Sequence, residues 1–330
     1  MKGPRSAPAF WLLLAAFACA PRPVRLVVVT SSLAETVSLL GDTLYGLPLA
    51  PEGGPARVRR IGEARDAVGR DSNDVSAWLR LGRSTAELGR LREAVGIFSE
   101  VASVHFDDPR VYRERGDLLL RLRHLDRAIA DLRKAGLLAI GRGPIIEAAP
   151  RDPTVPTDAS GFQLSTTQYQ AFLLQGIALY CKGDYAAAYP VLVEAVGRAL
   201  TIDERAQALL WLFFALRRAG DGREAKAVLD LVTPDWTADS ESGETALLLA
   251  YKGLVPSDSI QARALRGQGQ ERSLFAYGIA YFLELKPERA EDAESWLQLA
   301  RSGGNWASLA YLAAEADLAR RHGGTTVRIR

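Results

Sequence analysis

The residues best suited to metal chemistry lie in one short stretch, His105 to Pro109 (HFDDP). Imidazole and carboxylate groups are common ligands of transition metals. The stretch ends in proline between two helix-like segments, however, where a polar turn is expected in any case. The other histidines, His124 and His322, have no ligand partner at a suitable spacing. The sequence therefore predicts no metal site and no cofactor.

Signals for nucleotide binding and covalent catalysis are also weak. The stretches Gly141–Pro144 and Gly267–Gln270 do not follow strand signals, and the sequence has no G-x-x-x-x-G-K-[ST] or G-x-S-x-G motif. Cys181 is a candidate nucleophile, but no activating base is evident, and a packed thiol is the better interpretation. We therefore predict no catalytic residues and a protein that is not an enzyme.

The N-terminal residues have the pattern of an export signal. Lys2 and Arg5 precede an apolar run that is too short to span a bilayer, and the run ends in Ala-Phe-Ala before Cys19. This end resembles the bacterial lipobox, in which the cysteine is lipidated and becomes the mature N-terminus. The resemblance implies lipidation of Cys19 and an exported protein, in the bacterial periplasm or attached to the membrane through its lipid. Ordinary cleavage after Ala-Phe-Ala and an uncleaved anchor are the alternatives.

The composition indicates a folded chain without a polyelectrolyte partner. The 330 residues are 48% hydrophobic, which is ample for a core. The formal net charge is only +2, so the charge gives no indication of nucleic-acid binding. If Cys19 is acylated, only Cys181 remains, so the mature chain has no intramolecular disulfide.

A repeat of 34 residues organises the middle of the chain. Gly82 and Gly116 are separated by this interval, and their surroundings superimpose. In each copy a bulky residue lies four positions before the glycine, an alanine lies twelve positions after it, and a large apolar residue lies four positions after the alanine. The first copy has Trp78, Ala94 and Phe98 at these positions, and the second has Tyr112, Ala128 and Leu132. The chain resembles the tetratricopeptide repeat (TPR) family here. The resemblance implies an all-α solenoid, a right-handed superhelix of antiparallel helix pairs.

The glycines have two roles in this pattern. Gly82 lies where the two helices of a pair approach most closely, whereas Gly89 ends the first helix in a left-handed conformation. The third copy repeats the pattern with Phe172, Gly176, Gly183, Ala188 and Leu192. The fourth has Gly220 and Ala225 but Phe213 in place of the interior glycine, and a fifth, looser copy contains Gly278, Ala293 and Leu297.

The spacing divides the chain into six segments. They are a signal peptide with a lipobox-like end (1–19), a tether with a short helix near Leu33–Leu40 (20–55), a packing helix and repeats 1 and 2 (56–140), a Pro/Gly-rich insertion (141–168), repeats 3 and 4 (169–235), and a degenerate C-terminal repeat with a capping helix (236–330). We expect the capping helix to begin after Asn305, to end near Gly323 and to seal the last repeat.

From about Ser38 onward the chain also resembles a group of bacterial exported proteins that contain TPRs. The features are LLGDTLYGLPL before the repeats, LSTTQYQAFLLQGIALYCKGDY after the insertion, and GGNWASLAYLAAEADLAR near the end. This resemblance implies the same architecture and no particular reaction. The lipoprotein-like start with a TPR body is similar to envelope TPR lipoproteins that act as adaptors.

Positions on the first helix of each repeat predict a concave binding groove. The residues we assign to it are Arg83, Arg113, Asp117, Leu173, Ile177, Tyr180, Phe214 and Arg217. The Lys and Asn of the peptide-carboxylate clamp in chaperone-binding TPRs are missing, so that ligand class is not implied. The groove is basic in repeats 1 and 2 and mainly apolar and aromatic in repeats 3 and 4. We expect Asp117 to offset the positive charge of Arg113 only in part. For the apolar residues the alternative is core packing, and for the two arginines it is a solvated face.

Three functions are compatible with these features. The leading hypothesis is a non-catalytic interaction scaffold that binds an acidic, aliphatic protein segment in the groove. The second is an enzyme or small-ligand carrier with a site between the insertion and the groove, formed by Tyr169, Tyr180 or Asp184. The third is a structural subunit whose groove is filled by its own N-terminal tether. The sequence does not indicate an oligomeric state.

Overall fold

The computed structural model describes residues 33–46, 54–148, 164–236, 242–284 and 289–323. Within these ranges the chain forms 14 α-helices and two short antiparallel hairpins. The helices are Gly54–Arg70 (α1), Val75–Glu87 (α2), Leu91–Val104 (α3), Pro109–Arg121 (α4), Leu125–Leu138 (α5), Thr167–Lys182 (α6), Tyr185–Val196 (α7), Ile202–Arg218 (α8), Gly222–Asp230 (α9), Gly243–Tyr251 (α10), Ser257–Arg266 (α11), Gly269–Glu284 (α12), Ala290–Arg301 (α13) and Leu309–Arg321 (α14). The strands are Ala34–Val37 (β1), Thr43–Tyr45 (β2), Ile146–Ala148 (β3) and Leu164–Thr166 (β4). The fold is all-α, a solenoid of TPR-type helix pairs, as predicted.

The 34-residue spacing produces a notch between the two helices of a pair. A Cβ built on Gly116 would lie 2.6 Å from Cγ of Leu132, and one on Gly176 would lie 2.5 Å from Cγ of Leu192. At Gly82 a Cβ would overlap the ring of Phe98. In each repeat the large apolar side chain of the second helix therefore fills the space that the glycine leaves, so the packing gained outweighs the helix propensity lost.

The turns between the paired helices use a left-handed residue. Gly89, Gly183 and Gly220 have φ values of 73°, 91° and 87°, which confirms their predicted role as caps. In the second repeat the same position is occupied by Arg123, whose φ is 68°. Among the described residues it is the only non-glycine with a positive φ. Since this conformation is unfavourable for a residue with a Cβ, the surrounding contacts must hold Arg123 there.

The C-terminal third contains a helix pair that the repeat spacing did not predict. α10 and α11 lie between the fourth repeat and the looser fifth copy. The notch of Gly278 faces this inserted element, because a Cβ there would lie 2.5 Å from Leu247 of α10. The side chain nearest to the Gly278 notch thus comes from α10 and not from the looser fifth copy, although α12 and α13 do pack against each other.

Residues 34–45 form a hairpin, so the predicted short helix near Leu33–Leu40 is wrong. The strands are held by other parts of the fold. Oγ1 of Thr36 donates to the carbonyl of Leu122 at 2.6 Å, and the carboxylate of Glu35 accepts from the backbone N–H of Arg92 at 2.8 Å. Glu35 thus satisfies an N–H in the first turn of α3, which has no side-chain cap of its own. These tertiary hydrogen bonds override the local preference.

Helix α14 does more than seal the last repeat. It packs against α12 and α13, as expected for a capping helix, and also against α6 in the third repeat. Its N-cap is Ser308, not the predicted Asn305, and Trp306 and Tyr311 join a core cluster with Leu79 of the first repeat. We define the inner face as the surface formed by α2, α4, α6, α8 and α12. The C-terminal helix α14 covers the part of it formed by α6 and α12.

Candidate binding site

Two predicted groove arginines hold a carboxylate from the insertion. Nε of Arg113 donates to Oε1 of Glu147 at 2.6 Å, and a second bond joins its Nη2 to Oε2 of the same carboxylate. Arg113 also donates to Glu114 at 2.7 Å, and Arg83 pairs with Glu114 through its Nε. Arg83, Arg113, Glu114 and Glu147 form what we call the arginine cluster.

Secondary structure positions each member of the cluster. α2 carries Arg83, α4 carries Arg113 and Glu114, and β3 carries Glu147. β3 is paired with β4, which runs directly into α6, and Glu147 lies opposite Ser165. The connection preceding β3 is also fixed, because Gln168 binds both the N–H of Ile145 and the carbonyl of Gly143. The first and last parts of the insertion are thereby attached to the start of α6.

Within the arginine cluster the charges balance, two positive against two negative. Arg113, Glu114 and Glu147 are all buried. Burial disfavours the charged guanidinium, yet the carboxylates of Glu114 and Glu147 raise the pKa of Arg113 above its ordinary value. The expected spare positive charge is therefore wrong, as is the solvated-face alternative for Arg113. Asp117 forms its ion pair with Arg121 at 2.8 Å, and its charge also contributes to the raised pKa of Arg113, in line with the expected partial offset.

The apolar and aromatic groove positions lie inside the protein. Leu173, Ile177, Tyr180 and Phe214 are buried, which agrees with the core-packing alternative. Arg217 is partly buried near the end of α8. A ligand reaches these residues only if the element that covers them moves, and their direct role in binding stays a prediction.

A hydrogen-bonded network attaches α14 to the inner face. The hydroxyls of Tyr180 and Tyr277 are 2.6 Å apart, and Tyr277 donates to the carboxylate of Asp317 at 3.0 Å. Arg218 donates to the same carboxylate at 2.9 Å and pairs with Glu284. Burial raises the pKa of both tyrosines, so they remain neutral donors at ordinary pH. No sequence motif pointed to Asp317 or Tyr277, because the network depends on how α14 folds back.

The residues considered for chemistry have structural roles. Burial raises the pKa of the Cys181 thiol to about 12, which makes it a poor nucleophile. Asp108 accepts from the N–H of Arg110 as the N-cap of α4, and Asp184 accepts from Ala187 at the start of α7. The hydroxyl of Tyr169 donates to the carbonyl of Glu204 at 2.7 Å. Across the described ranges, no group of three or more His, Cys, Asp or Glu residues is arranged to hold a metal ion.

Two predicted features lie outside the described residues. Cys19 and the signal segment are in residues 1–32, and most of the 141–168 insertion is in residues 149–163. In the part of the chain that the structure covers, no helix combines the length and apolar character needed to cross a membrane.

Comparisons with known proteins find similarity only among solved structures. No family model matches the sequence, and no curated protein matches it. The structure of PilW, described as a widely conserved type IV pilus biogenesis factor, is 17% identical with a TM-score of 0.42, over 74% of this chain and 86% of that one. YrrB, described as a TPR protein with an unusual peptide-binding site, is 13% identical with a TM-score of 0.42, over 79% and 99%. A tetratricopeptide repeat protein from Parabacteroides merdae is 14% identical with a TM-score of 0.45, over 78% and 93%. At these values the similarity does not indicate what the chain binds.

Proposed function

We propose that this chain is a non-catalytic interaction scaffold at the bacterial cell envelope, which binds an acidic, aliphatic protein segment on its inner face. The arginine cluster is the observation that supports this proposal. Arg83 and Arg113 already bind an extended segment whose glutamate is preceded by two isoleucines, Ile145 and Ile146. The inner face thus binds the carboxylate of such a segment, and the segment bound here belongs to the chain itself.

Attachment to the envelope through a lipid on Cys19 completes the proposal. The lipobox-like end of the signal segment supports it. A lipid at the N-terminus would place the β1–β2 hairpin and the repeats beside the membrane, where exported proteins meet. One acyl chain gives only marginal membrane binding, so a lipoprotein with several chains would be anchored more firmly.

Capture of envelope proteins by the full chain tests the proposal. The variant should remove an arginine and its carboxylate together, Arg113→Met with Glu147→Met, since a lone buried charge would destabilise the fold. Reversal of both Arg83 and Arg113 to glutamate is unsuitable, because it would gather four carboxylates at residues 83, 113, 114 and 147. The matched control is Arg59→Met with Glu63→Met, an exposed pair on α1.

We expect the wild type and the exposed-pair control to crosslink the same partner in intact cells, and the cluster variant to lose it. Equal capture by the cluster variant and the control would place the binding surface elsewhere. A thermal melt of each variant shows whether loss of capture reflects loss of the fold.

A structural subunit is the second candidate, and one observation favours it. The inner face is covered by α14, through Asp317 on Tyr277 and Arg218, and by β3 at the arginine cluster. The described part of the predicted tether, the β1–β2 hairpin, also takes part: Leu44 lies in the core cluster with Leu79 and Trp306, and Leu39 donates its N–H to Glu315 of α14. The hairpin also contacts the first turn of α3 and the carbonyl of Leu122. A chain that crosslinks only to constant neighbours in a stoichiometric complex would support this candidate.

A further inference from the structure

The second helix of each repeat ends at the edge of the solenoid where the first helix of the next repeat begins. The described connections at this edge are residues 105–108, 139–145 and 197–201. Hydrogen bonds join them along the edge. Nη2 of Arg142 donates to the carbonyl of Asp107 at 3.3 Å, and the hydroxyl of Tyr169, at the start of α6, donates to the carbonyl of Glu204 at the start of α8. The connections of the first three repeats therefore form one continuous edge.

The repeat register places a large apolar side chain on this edge three times. Each one follows the buried alanine of its repeat by twelve residues: Phe106 follows Ala94, Ile140 follows Ala128, and Leu200 follows Ala188. We call Phe106, Ile140 and Leu200 the apolar ridge. Their side chains are 66%, 66% and 50% exposed, and the exposed Val104 and Leu137 lie beside them. Single exposed apolar residues are ordinary, whereas a row of them on one edge indicates an interaction surface.

Positive charge surrounds the middle of the ridge. Arg133 and Lys134 lie in the last two turns of α5, and Arg142 follows Ile140 by two residues. All three side chains are exposed. The chain has no carboxylate between Arg133 and Ile146. The middle of the ridge therefore favours an anionic partner.

The two ends of the ridge have more balanced charges. Glu100 and Asp107 lie near Phe106, and Asp203 and Arg205 lie near Leu200. The remaining charges at this edge are two ion pairs, Arg110 with Asp108 and Arg198 with Glu194. The edge thus has six cations against five carboxylates, and its surplus positive charge is concentrated around Ile140.

The ridge suits a fluid lipid surface better than a folded partner. Phe106 and Leu200 lie in the turns before α4 and α8, and Ile140 lies in the turn after α5, so each side chain belongs to a different connection. A protein would need apolar pockets at the same spacing, whereas acyl chains adapt to any protruding side chain. Aromatic and aliphatic side chains flanked by arginine and lysine are typical of surfaces that bind in the membrane interface.

The proposed lipid anchor and the ridge can reach the same bilayer. The tether enters the described structure at Leu33 beside the start of α3, where Arg92 donates to the carbonyl of Ala34 at 3.2 Å. α3 has 14 residues and is about 21 Å long, and Phe106 lies just beyond its other end. Thirteen residues lie between Cys19 and Leu33, and they can span at most about 45 Å when fully extended. This reach exceeds the length of α3.

We propose that the apolar ridge is a second membrane contact, whose three side chains insert among the acyl chains of an anionic lipid surface. Arg133, Lys134 and Arg142 bind the lipid phosphates around the middle of the ridge. This inference rests on the proposed attachment to the envelope membrane, and it adds which edge of the solenoid faces the lipid. The ridge alone binds weakly and reversibly, because its apolar surface is small, so stable association still requires the lipid on Cys19.

A fluorophore on the ridge tests the proposal. The full chain carries Ile140→Cys labelled with the environment-sensitive dye NBD, and Cys19→Ala with Cys181→Ala removes the lipid and the other thiol. Vesicles of phosphatidylcholine and phosphatidylglycerol should shift the NBD emission to the blue, and nitroxide-labelled lipids should quench it. The matched control carries the dye at Leu265→Cys on α11, where the native side chain is also exposed, and should show neither change. Since the dye reports only its own position, vesicle binding through the signal segment gives no response.

Removal of the other two ridge side chains should weaken this response. Phe106→Ser with Leu200→Ser, in the chain labelled at residue 140, should need at least about tenfold more lipid for the half-maximal shift, because two apolar contacts are lost. Val58→Ser with Leu254→Ser replaces two exposed apolar residues away from this edge and should have no effect. Vesicles of phosphatidylcholine alone should bind several-fold more weakly, because they lack the anionic headgroups. Circular dichroism checks that each variant is folded.

The proposal is overturned if vesicles leave the dye at residue 140 in water, or if the ridge variant and its control respond equally. Equal binding to vesicles with and without phosphatidylglycerol overturns the preference for an anionic surface. If residue 140 stays in water with vesicles but crosslinks to a protein in intact cells, the ridge is a protein-docking surface instead.

Metabolic labelling of Cys19 in the wild type separates this result from the proposed function. If Cys19 is lipidated and the ridge stays in water, the anchor stands and the ridge contact fails. If the ridge enters lipid and Cys19 carries no label, the ridge contact stands and the lipid anchor fails.

Discussion

Arg123 and Glu315 are 192 residues apart in the chain and form an ion pair with no exposed surface on either side chain, with Nη2 2.8 Å from Oε2. Arg123 also donates to the carbonyl of Trp306 at 2.9 Å, and its guanidinium lies over the Trp306 ring. The other oxygen of Glu315 accepts from the N–H of Leu39 at 2.5 Å. The Glu315 carboxylate of the C-terminal helix thus connects the second repeat and the N-terminal hairpin.

Removal of one member of this pair should destabilise the protein strongly. Arg123→Met leaves the Glu315 carboxylate buried without its cation, and we expect a loss of about 3–5 kcal/mol in the free energy of unfolding. Arg123→Gly should be destabilised too, although glycine relieves the positive φ. The double variant Arg123→Met with Glu315→Leu should lose much less stability than Arg123→Met alone. Urea denaturation measures the free energy of unfolding of all three variants. If Arg123→Met loses no more stability than the double variant, the two charges are not coupled.

The glycine notch should tolerate no side chain. Gly116→Ala puts a methyl group against Leu132, and we expect a destabilisation of about 1–3 kcal/mol from overpacking. Gly96 is the matched control, because it is in α3 and a Cβ there would meet nothing within 4 Å. Gly96→Ala should stabilise the helix by up to about 1 kcal/mol. Equal melting temperatures for Gly116→Ala and Gly96→Ala would contradict the close packing of Leu132 against Gly116.

Cys181 should resist thiol reagents in the folded protein. Its pKa is raised by burial from 9.0 to about 12, so the thiol stays protonated at pH 8. A maleimide should react with it slowly in buffer and rapidly in urea, as followed by mass spectrometry. Because the folded pKa is the higher one, the thiol's contribution to stability is complete below pH 9 and decreases as the pH rises towards 12. Cys181→Ala should lack this part of the loss of stability at alkaline pH. Rapid maleimide labelling of the native protein would contradict the burial of the thiol.

Cys19 should carry the lipid. Metabolic labelling with a fatty-acid analogue should modify the wild type, and Cys19→Ala should lose both the label and membrane association while it keeps its helical circular dichroism. Cys181→Ala is the control and should be labelled normally. Equal labelling of Cys19→Ala would exclude lipidation at this position.

The helix pairs were predictable because their signals are local. The spacing of Gly116, Ala128 and Leu132 lies within one repeat, and the same contacts form wherever it occurs. The caps at Gly89 and Gly183 follow from a single residue type at a fixed position. Sequence reasoning therefore located the first four repeats and the buried character of the residues around their notches.

The covering of the inner face was not predictable in this way. It depends on contacts such as Arg218 with Asp317, which join residues 99 apart and have no periodic signal. The hairpin at residues 34–45 likewise depends on hydrogen bonds to Arg92 and Leu122. One indication was present in the sequence, however, since arginine at position 123 stands where the first, third and fourth copies have a glycine. This unfavourable departure from the repeat pattern marked the residue that binds Glu315 of the C-terminal helix.

The connection from Leu39 through Glu315 to Arg123 has a consequence for how such a chain can evolve. An open solenoid grows by duplication, because each new repeat contacts only its neighbours and the two ends remain independent. Here the hairpin before the first repeat and the helix after the last one meet at a single buried carboxylate. An added repeat would separate them by the thickness of one helix pair, about 10 Å for each helix layer, and would break the contact. The closure therefore opposes the addition of a repeat, because the added thickness would separate Leu39 from Glu315.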